Sequence, residues 1–220
     1  KVFSSGVFFR QFTEAVREVS FEMYPGTIMS LIGESGSGKT TIGRMVLKLL
    51  RPTAGKIYFQ EQDIATLRGK AELREYYRRV QGVFQDPFSS FNPLFRVDRV
   101  FDMVYDVFLP DVKDREERTR EVLRKVNLNP ERVLHQFPHQ LSGGQLQRLL
   151  IARALLLDVK VLIADELISM LDASTRMGIL NLLADICQST GMSVLFITHD
   201  LALGYYISDY TMIMHRGRLV

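Results

Sequence analysis

A glycine-rich run near the start of the chain has the residue types that bind phosphate. It runs Gly33-Glu34-Ser35-Gly36-Ser37-Gly38-Lys39-Thr40 and fits the pattern G-x-x-x-x-G-K-[ST]. Glycines let the backbone bend until several N–H groups face one anion, and a following helix points its positive N-terminal end at the same anion. Lys39 would reach the outer phosphates, and the Thr40 hydroxyl would bind Mg²⁺. We therefore predict that this loop, together with Thr41, binds the phosphates of a nucleotide.

Two carboxylates follow an apolar run that is typical of a buried strand. Val161 to Ala164 is followed by Asp165 and Glu166. A buried strand puts Asp165 at its carboxyl end beside the phosphate loop, where it would help to hold Mg²⁺. Glu166 would orient or deprotonate an attacking water. The alternative is a solvated acidic strand end, and the neighbouring phosphate loop favours the catalytic interpretation.

A second helix start of the anion-binding type appears far along the chain. It runs Leu141-Ser142-Gly143-Gly144-Gln145 and continues as Leu146-Gln147-Arg148. The serine and the glycines open an apolar helix, whose free N–H groups favour an anion. One chain would not need two such sites for one γ-phosphate. The run resembles the signature of ATP-binding cassette (ABC) proteins.

The resemblance implies a pair of cassettes. In that family two cassettes pair head to tail, and each ATP lies between one phosphate loop and the signature of the partner. It implies that Ser142, Gly143, Gly144 and Gln145 serve the nucleotide of a second ABC ATPase subunit, identical or homologous. Asp172 resembles the D-loop aspartate, which bridges the two subunits.

Three further residue positions are similar to ABC motifs. Gln85 resembles the Q-loop glutamine, which contacts Mg²⁺ or the water and links the site to a helical subdomain. His199 resembles the switch histidine at the γ-phosphate, although a lone histidine after a strand is more often structural. Phe3 resembles the aromatic residue that stacks on adenine, with Phe9 and Phe12 as alternatives.

Two local segments are similar to the branch that imports oligopeptides and dipeptides. They are 83–93, VFQDPFSSFNP, and 171–175, LDAST. The resemblance implies an ATP-hydrolysing, Mg²⁺-dependent subunit on the cytoplasmic face of the cell membrane. Its partners would be integral membrane permease subunits and, indirectly, a solute-binding protein, with no nucleic acid. That branch also includes importers of nickel and oligosaccharides, and solute specificity lies in other subunits.

One departure from the family pattern follows the catalytic carboxylate. Many members have proline directly after the glutamate, often followed by threonine or valine, whereas this chain has Leu167-Ile168. A rigid turn is lost while the carboxylates remain. Our hypothesis is a slower or asymmetric hydrolytic site. Unchanged ATPase rates in the double variant Leu167→Pro, Ile168→Thr would count against it.

The elements that position these residues alternate between strand and helix. This order predicts an α/β fold, a P-loop NTPase core with a mainly parallel sheet flanked by helices and an N-terminal antiparallel β part. We assign 1–87 and 155–220 to the core and 88–154 to an inserted helical subdomain carrying the signature. The predicted strands are 27–32, 56–59, 80–84, 159–164, 193–198 and 211–214, and the predicted helices are 39–50, 115–126, 173–188 and 200–208.

Composition limits the function classes. The chain has 220 residues, of which 46% are hydrophobic and 24% charged, with a net charge of +3. That charge is too small to indicate nucleic-acid binding. The single cysteine, Cys187, excludes an internal disulfide and a cysteine zinc cluster. We expect no signal peptide or transmembrane helix, and a sequence trimmed at both ends because it starts inside a strand-like run.

Three alternative functions remain in view. A soluble ABC ATPase of DNA repair or translation often carries two cassettes or a long coiled-coil insertion, and neither is apparent. A regulatory cassette would dimerise with poor hydrolysis, and Leu167-Ile168 keeps this alternative open. A P-loop kinase would not need the signature motif.

Overall fold

The computed structural model describes residues 1–5 and 11–220 of the chain. The strands are β1 Val2–Ser5, β2 Gln11–Glu14, β3 Ile28–Ile32, β4 Tyr58–Phe59, β5 Gln62–Asp63, β6 Val80–Phe84, β7 Val161–Asp165, β8 Ser193–Thr198, β9 Tyr210–His215 and β10 Arg218–Leu219. The α-helices are α1 Lys39–Val46, α2 Lys70–Arg79, α3 Arg99–Phe108, α4 Arg115–Lys125, α5 Pro130–Val133, α6 Gly143–Leu155, α7 Ala173–Thr190 and α8 Leu201–Ile207.

The central sheet has six strands in the order β10-β9-β3-β8-β7-β6. All neighbours are parallel except β9 and β10. Strands β3 and β8 are buried along their whole length, which explains their mostly apolar sequences. Two-stranded antiparallel ribbons, β1-β2 and β4-β5, complete the β structure of the described residues. The α/β prediction with a mainly parallel sheet is confirmed.

Helices cover both faces of the sheet and create two apolar clusters. The larger contains α6, α7 and the helical region, and it reaches the sheet through Leu162, Val194 and Phe196. The smaller packs α1 and α2 against the opposite face through Leu31, Ile163 and Ile197. Helix α6 therefore starts in the helical region and is buried against the sheet. The division at 87 and 155 stays a prediction.

The predicted strands 80–84 and 193–198 agree with the structure, and other boundaries moved. Helix α1 ends at Val46 rather than at residue 50, because Lys48 adopts a left-handed φ of 56°. The Lys48 ammonium group donates to the carbonyls of Ile64 and Leu67, which fixes this turn. The predicted N-terminal β part is limited to β1 and β2 before β3 begins, because residues 15–27 form bends and a turn whose apolar side chains pack on the smaller cluster.

Helix α2 and strands β5 and β10 are additional elements that the sequence patterns did not indicate. Within the described part of the chain, no helix has the length and apolarity that crossing a membrane requires.

Candidate functional site

The predicted site residues follow four neighbouring parallel strands at one edge of the sheet. Gly33 follows β3, His199 follows β8, Glu166 follows β7 and Gln85 follows β6. The register aligns these ends, since Ile32 pairs with Thr198, Ile197 with Asp165 and Asp165 with Phe84. The carboxyl edge of a parallel sheet is where such folds bind ligands. Residues far apart in the sequence therefore lie side by side along the carboxyl edge of the sheet.

Backbone geometry requires glycine in the phosphate loop. Gly36 and Gly38 have φ of 81° and 107°, a region that other residues rarely adopt. A Cβ atom on Gly38 would also lie 2.2 Å from the carbonyl oxygen of Ala15. Gly38 caps helix α1 without any side-chain hydrogen bond to its free N–H groups. The helix start therefore presents bare donors beside the exposed loop residues Glu34 and Ser35.

The Lys39 side chain is buried against its own loop. Its ammonium group donates to the carbonyl oxygens of Gly33 at 2.7 Å and Glu34 at 2.8 Å. Burial lowers the pKa of Lys39, while Glu166 and Asp165 act in the opposite direction. An ammonium group has three donors, so one remains for an anion in the loop.

Thr40 and Asp165 meet as the sequence predicted. The Thr40 hydroxyl donates to Asp165 Oδ1 at 3.1 Å. Burial raises the pKa of Asp165, and the bond from Thr40 partly opposes that change. Among the described residues no group of three or more His, Cys, Asp and Glu side chains could hold a metal ion. One carboxylate and one hydroxyl fit Mg²⁺, which takes its other ligands from phosphates and water.

Glu166 and His199 form the second contact at this edge. Nδ1 of His199 lies 2.9 and 2.8 Å from the two carboxylate oxygens of Glu166. Glu166 has a left-handed φ of 52°, and its N–H donates to the Ile197 carbonyl at 2.9 Å. Left-handed backbone is costly for a glutamate and persists where surrounding contacts fix it. The carboxylate is thus aimed by the backbone and held by the histidine.

Gln85 and two of the aromatic residues predicted to stack on adenine are exposed at the surface. Gln85 is exposed and follows Phe84, the strand partner of Asp165. Phe3 lies on β1 with 38% of its surface exposed and with the Lys1 ammonium 5.1 Å from its ring centre. Phe12 lies on β2 and is 68% exposed. Phe9 falls outside the described residues.

The signature residues form the capped start of helix α6. Ser142 Oγ accepts the N–H of Gln145 at 3.2 Å, and Gln145 Oε1 accepts the N–H of Ser142 at 2.8 Å. A Cβ atom on Gly144 would lie 2.6 Å from Cγ2 of Thr175, and one on Gly143 would lie 3.3 Å from Cδ2 of Leu171. The two glycines therefore bring this helix against the segment that follows Glu166.

Asp172 caps helix α7. Its Oδ1 accepts the Thr175 N–H at 3.0 Å and the Ser174 hydroxyl at 2.7 Å. These bonds lower the pKa of Asp172 well below its usual range.

The sequence patterns missed Ser169 and Arg176, which bind the segment between Glu166 and Asp172. No motif pointed to these two residues, because their bonds go to backbone carbonyls.

Comparison with known proteins identifies the family of this chain. The family model for the ABC transporter family matches residues 16–169. A putative peptide import ATP-binding protein of Brucella ovis is 44% identical over 203 residues, covering 92% of this chain and 63% of that protein. The oligopeptide transport ATP-binding protein OppF of Bacillus subtilis is 39% identical, covering 94% of this chain and 68% of that protein. The chain thus spans less than two thirds of the length of the Brucella ovis relative.

Solved structures with a similar fold are also ATP-binding cassettes. A dimeric ATP-binding cassette in a post-hydrolysis state, bound to ADP and Pi, superposes with a TM-score of 0.85 at 26% identity, covering 99% of this chain and 93% of the other. A Clostridium perfringens cassette that is part of an ABC transporter complex gives a TM-score of 0.83 at 25% identity, covering 99% and 84%. With a family match over most of its length and these relatives, the chain belongs to the ABC transporter family.

Proposed function

We propose that this chain is the ATP-hydrolysing subunit of an importer, and that it works as one of a pair of cassettes. The observation that carries the proposal is the carboxyl edge of the sheet. There, Thr40 bonds to Asp165 beside the phosphate loop, and Glu166 bonds to His199 next to them. Phosphate binding, metal binding and water activation need these three groups of residues side by side.

ATP binds through the backbone and side chains of the phosphate loop. The N–H groups of 33–41 and the positive end of α1 surround the β- and γ-phosphates. Ser35 and Ser37 lie within that loop, and Lys39 places its remaining donor on the outer phosphates. Phe3 is our candidate for stacking on adenine, since β1 pairs with β2 and the carbonyl of Ala15, directly after β2, lies against Gly38.

Mg²⁺ fits the donors at the end of β7. Thr40 and Asp165 would hold it, with Gln85 at the neighbouring strand end. When bound, the ion neutralises charge on the phosphate oxygens. The buried Asp165 carboxylate is then compensated by a cation, which removes the unfavourable effect of its burial.

Glu166 and His199 divide the work at the γ-phosphate. Glu166 orients a water for in-line attack on the γ-phosphorus and accepts its proton, while the bond from the γ-phosphorus to the bridging oxygen breaks and ADP leaves. His199, held at 2.8 Å from that carboxylate, presents its second ring nitrogen to the charge that develops on the γ-phosphate. The contact between Nδ1 and the carboxylate keeps both side chains in place before ATP arrives.

The signature completes the site of the partner cassette. Ser142 Oγ accepts a bond from Gln145, and its hydroxyl proton remains available for a phosphate oxygen. The N–H groups of Gly143 and Gly144 lie at the same helix start. Asp172 lies at the neighbouring start of α7, where it would reach the partner subunit. The solved relative is a dimer, which supports this pairing.

The importer assignment rests on the relatives. The proteins from Brucella ovis and Bacillus subtilis are named for peptide import and oligopeptide transport. We therefore propose peptides as the solute class, permease subunits as membrane partners and a solute-binding protein as an indirect partner. The chain would act on the cytoplasmic face of the cell membrane. Multi-span proteins and a second cassette should co-purify from gently solubilised source membranes, and recovery with only ribosomal or DNA-associated proteins would overturn the importer assignment.

The hydrolytic role is tested by Glu166→Gln. We expect turnover to fall by at least about a hundredfold while ATP still binds, because the amide cannot accept the proton from water. The variant should accumulate an ATP-bound dimer, measured by size-exclusion chromatography with light scattering. Glu121→Gln on α4 is the matched control, since Glu121 is exposed and far from the sheet edge. Full turnover in Glu166→Gln, or a wild-type chain that binds ATP and dimerises without turnover, would overturn the assignment.

A further inference from the structure

The segment between the end of β7 and the start of α7 links two parts of the proposed machinery. It begins at Glu166 and ends at Asp172. Leu167, Ile168 and Leu171 are buried, with exposures of 1%, 3% and 8%. The segment therefore has apolar anchors in the larger cluster.

Hydrogen bonds close the segment on the side of Glu166. The backbone N–H and the hydroxyl of Ser169 both donate to the Glu166 carbonyl, at 3.1 and 2.9 Å. These bonds form a tight turn directly after the residue with φ of 52°. A change in the turn would therefore move the backbone that aims the Glu166 carboxylate.

Arg176 binds the same turn from helix α7. Its Nε donates to the Leu171 carbonyl at 2.7 Å, and its Nη2 donates to the Ser169 carbonyl at 3.2 Å. One guanidinium group thus holds two carbonyls that have no other bond to a helix or sheet among those described. The planar fork of arginine suits such a pair of acceptors, which a single ammonium group cannot match.

The position of Arg176 is otherwise unfavourable. It lies in the first turn of α7, where the helix dipole disfavours a positive charge. Its own N–H donates to the Asp172 carbonyl, so its backbone is part of the helix start. A cation at this place is explained by the carbonyl oxygens that surround it.

We propose that Arg176 is a positioning residue that acts through Glu166, by holding the turn 166–171 against α7. This inference rests on the proposed ATP hydrolysis. Arg176 touches neither nucleotide nor water in this scheme. The buried side chains of Leu167 and Ile168 anchor the turn in the larger cluster, and the guanidinium group of Arg176 holds the carbonyls of the turn.

The test measures steady-state ATP hydrolysis and ATP affinity for Arg176→Met and Arg176→Lys. For Arg176→Met we expect kcat to fall about tenfold or more, since small misplacement of a catalytic group is costly. KM and the Kd for ATP should stay within about twofold of wild type, because the phosphate loop is untouched. The kcat of Arg176→Lys should lie between those of Arg176→Met and wild type, since the lysine ammonium group can restore one of the two bonds.

Arg118→Met is the matched control. Arg118 on α4 also donates to a backbone carbonyl, that of Leu156 at 3.2 Å, but it lies far from the turn. It should keep wild-type kcat. Thermal unfolding of every variant verifies that the measured protein is folded, and Arg176→Lys keeps the test valid if Arg176→Met does not fold.

Three outcomes would overturn the inference. They are an unchanged kcat in Arg176→Met, a rise in KM with kcat unchanged, or an equal loss in Arg118→Met. A wild-type chain without ATPase activity would instead remove the proposed function. Turnover by wild type with no effect at Arg176 would remove this inference alone.

Discussion

The two helix starts that we propose to bind phosphate are built differently. Helix α1 begins at Gly38 with φ of 107° and has no side-chain cap. Helix α6 begins at Ser142 with a reciprocal capping box to Gln145. One start leaves its N–H groups bare, whereas the other uses part of them within the chain.

The proposed roles of the two helix starts account for this difference. A bare start beside a buried lysine suits a ligand that the same chain holds throughout. A capped start is stable alone and offers few donors, which suits contact with a nucleotide held by another subunit. We expect changes in the phosphate loop to affect binding to the single chain, and changes in the signature to affect association.

The largest expected effect comes from Lys39→Ala. Loss of the ammonium group removes the donor for the outer phosphates and leaves the Gly33 and Glu34 carbonyls unpaired. ATP hydrolysis should fall by about a hundredfold or more, and ATP affinity of the single chain should fall with it. Fluorescent-nucleotide titration and phosphate release are the measurements. Lys56→Ala at an exposed lysine is the control, and wild-type ATP affinity in Lys39→Ala would break the comparison.

Next in size is Gly144→Ala. Its new Cβ atom would lie 2.6 Å from Cγ2 of Thr175, so either the Thr175 side chain or the start of α6 must shift. We expect a stability loss of about 1–3 kcal/mol from overpacking and about a tenfold weaker ATP-driven dimer. Thr175→Ser removes Cγ2 and keeps the hydroxyl, so the double variant should recover both. The measurements are thermal unfolding and light scattering with ATP in the Glu166→Gln background.

Gly178→Ala is the control for that experiment. A Cβ atom there meets only the end of the Arg148 side chain at 3.1 Å, which can move aside. Its dimerisation should match that of wild type. Failure of Thr175→Ser to rescue Gly144→Ala would contradict the proposed contact between the signature and the segment after Glu166.

The sequence predicted the bare start more completely than the rest of the site. Its glycines, Lys39 and Thr40 form one continuous motif, and the apolar strand before it carries its own signal. Asp165 could be paired with Thr40 because parallel strands end at a common edge. Arg176 and Ser169 could not be predicted, since side chains that bind backbone carbonyls leave no residue pattern. Nor could a residue pattern show that Leu167 and Ile168 are buried anchors of this segment.

A third prediction separates stability from association at Ser142. Aspartate is as good a helix cap as serine, so Ser142→Asp should unfold within about 0.5 kcal/mol of wild type, whereas Ser142→Ala should lose about 1 kcal/mol. The aspartate puts a negative charge where the phosphate of the partner arrives. ATP-driven dimerisation should therefore be weakest in the more stable variant. Stability and dimerisation that fall together in both variants would assign Ser142 a capping role only.

The smallest effect is expected from Gln145→Ala, and it tests how far the capped start depends on its own chain. Gln145 Oε1 is already bonded to the Ser142 N–H, so we expect a loss of about 0.5–1 kcal/mol and at most about a threefold weaker dimer. Gln140 provides a matched control, since its Oε1 accepts the Phe137 N–H at 2.7 Å in the same arrangement. If Gln145→Ala and Gln140→Ala lose the same stability and dimerise equally well, Gln145 has a capping role only. A loss of dimerisation above about tenfold in Gln145→Ala alone would mean that its amide group binds the nucleotide, and the two helix starts would then be more alike than their caps indicate.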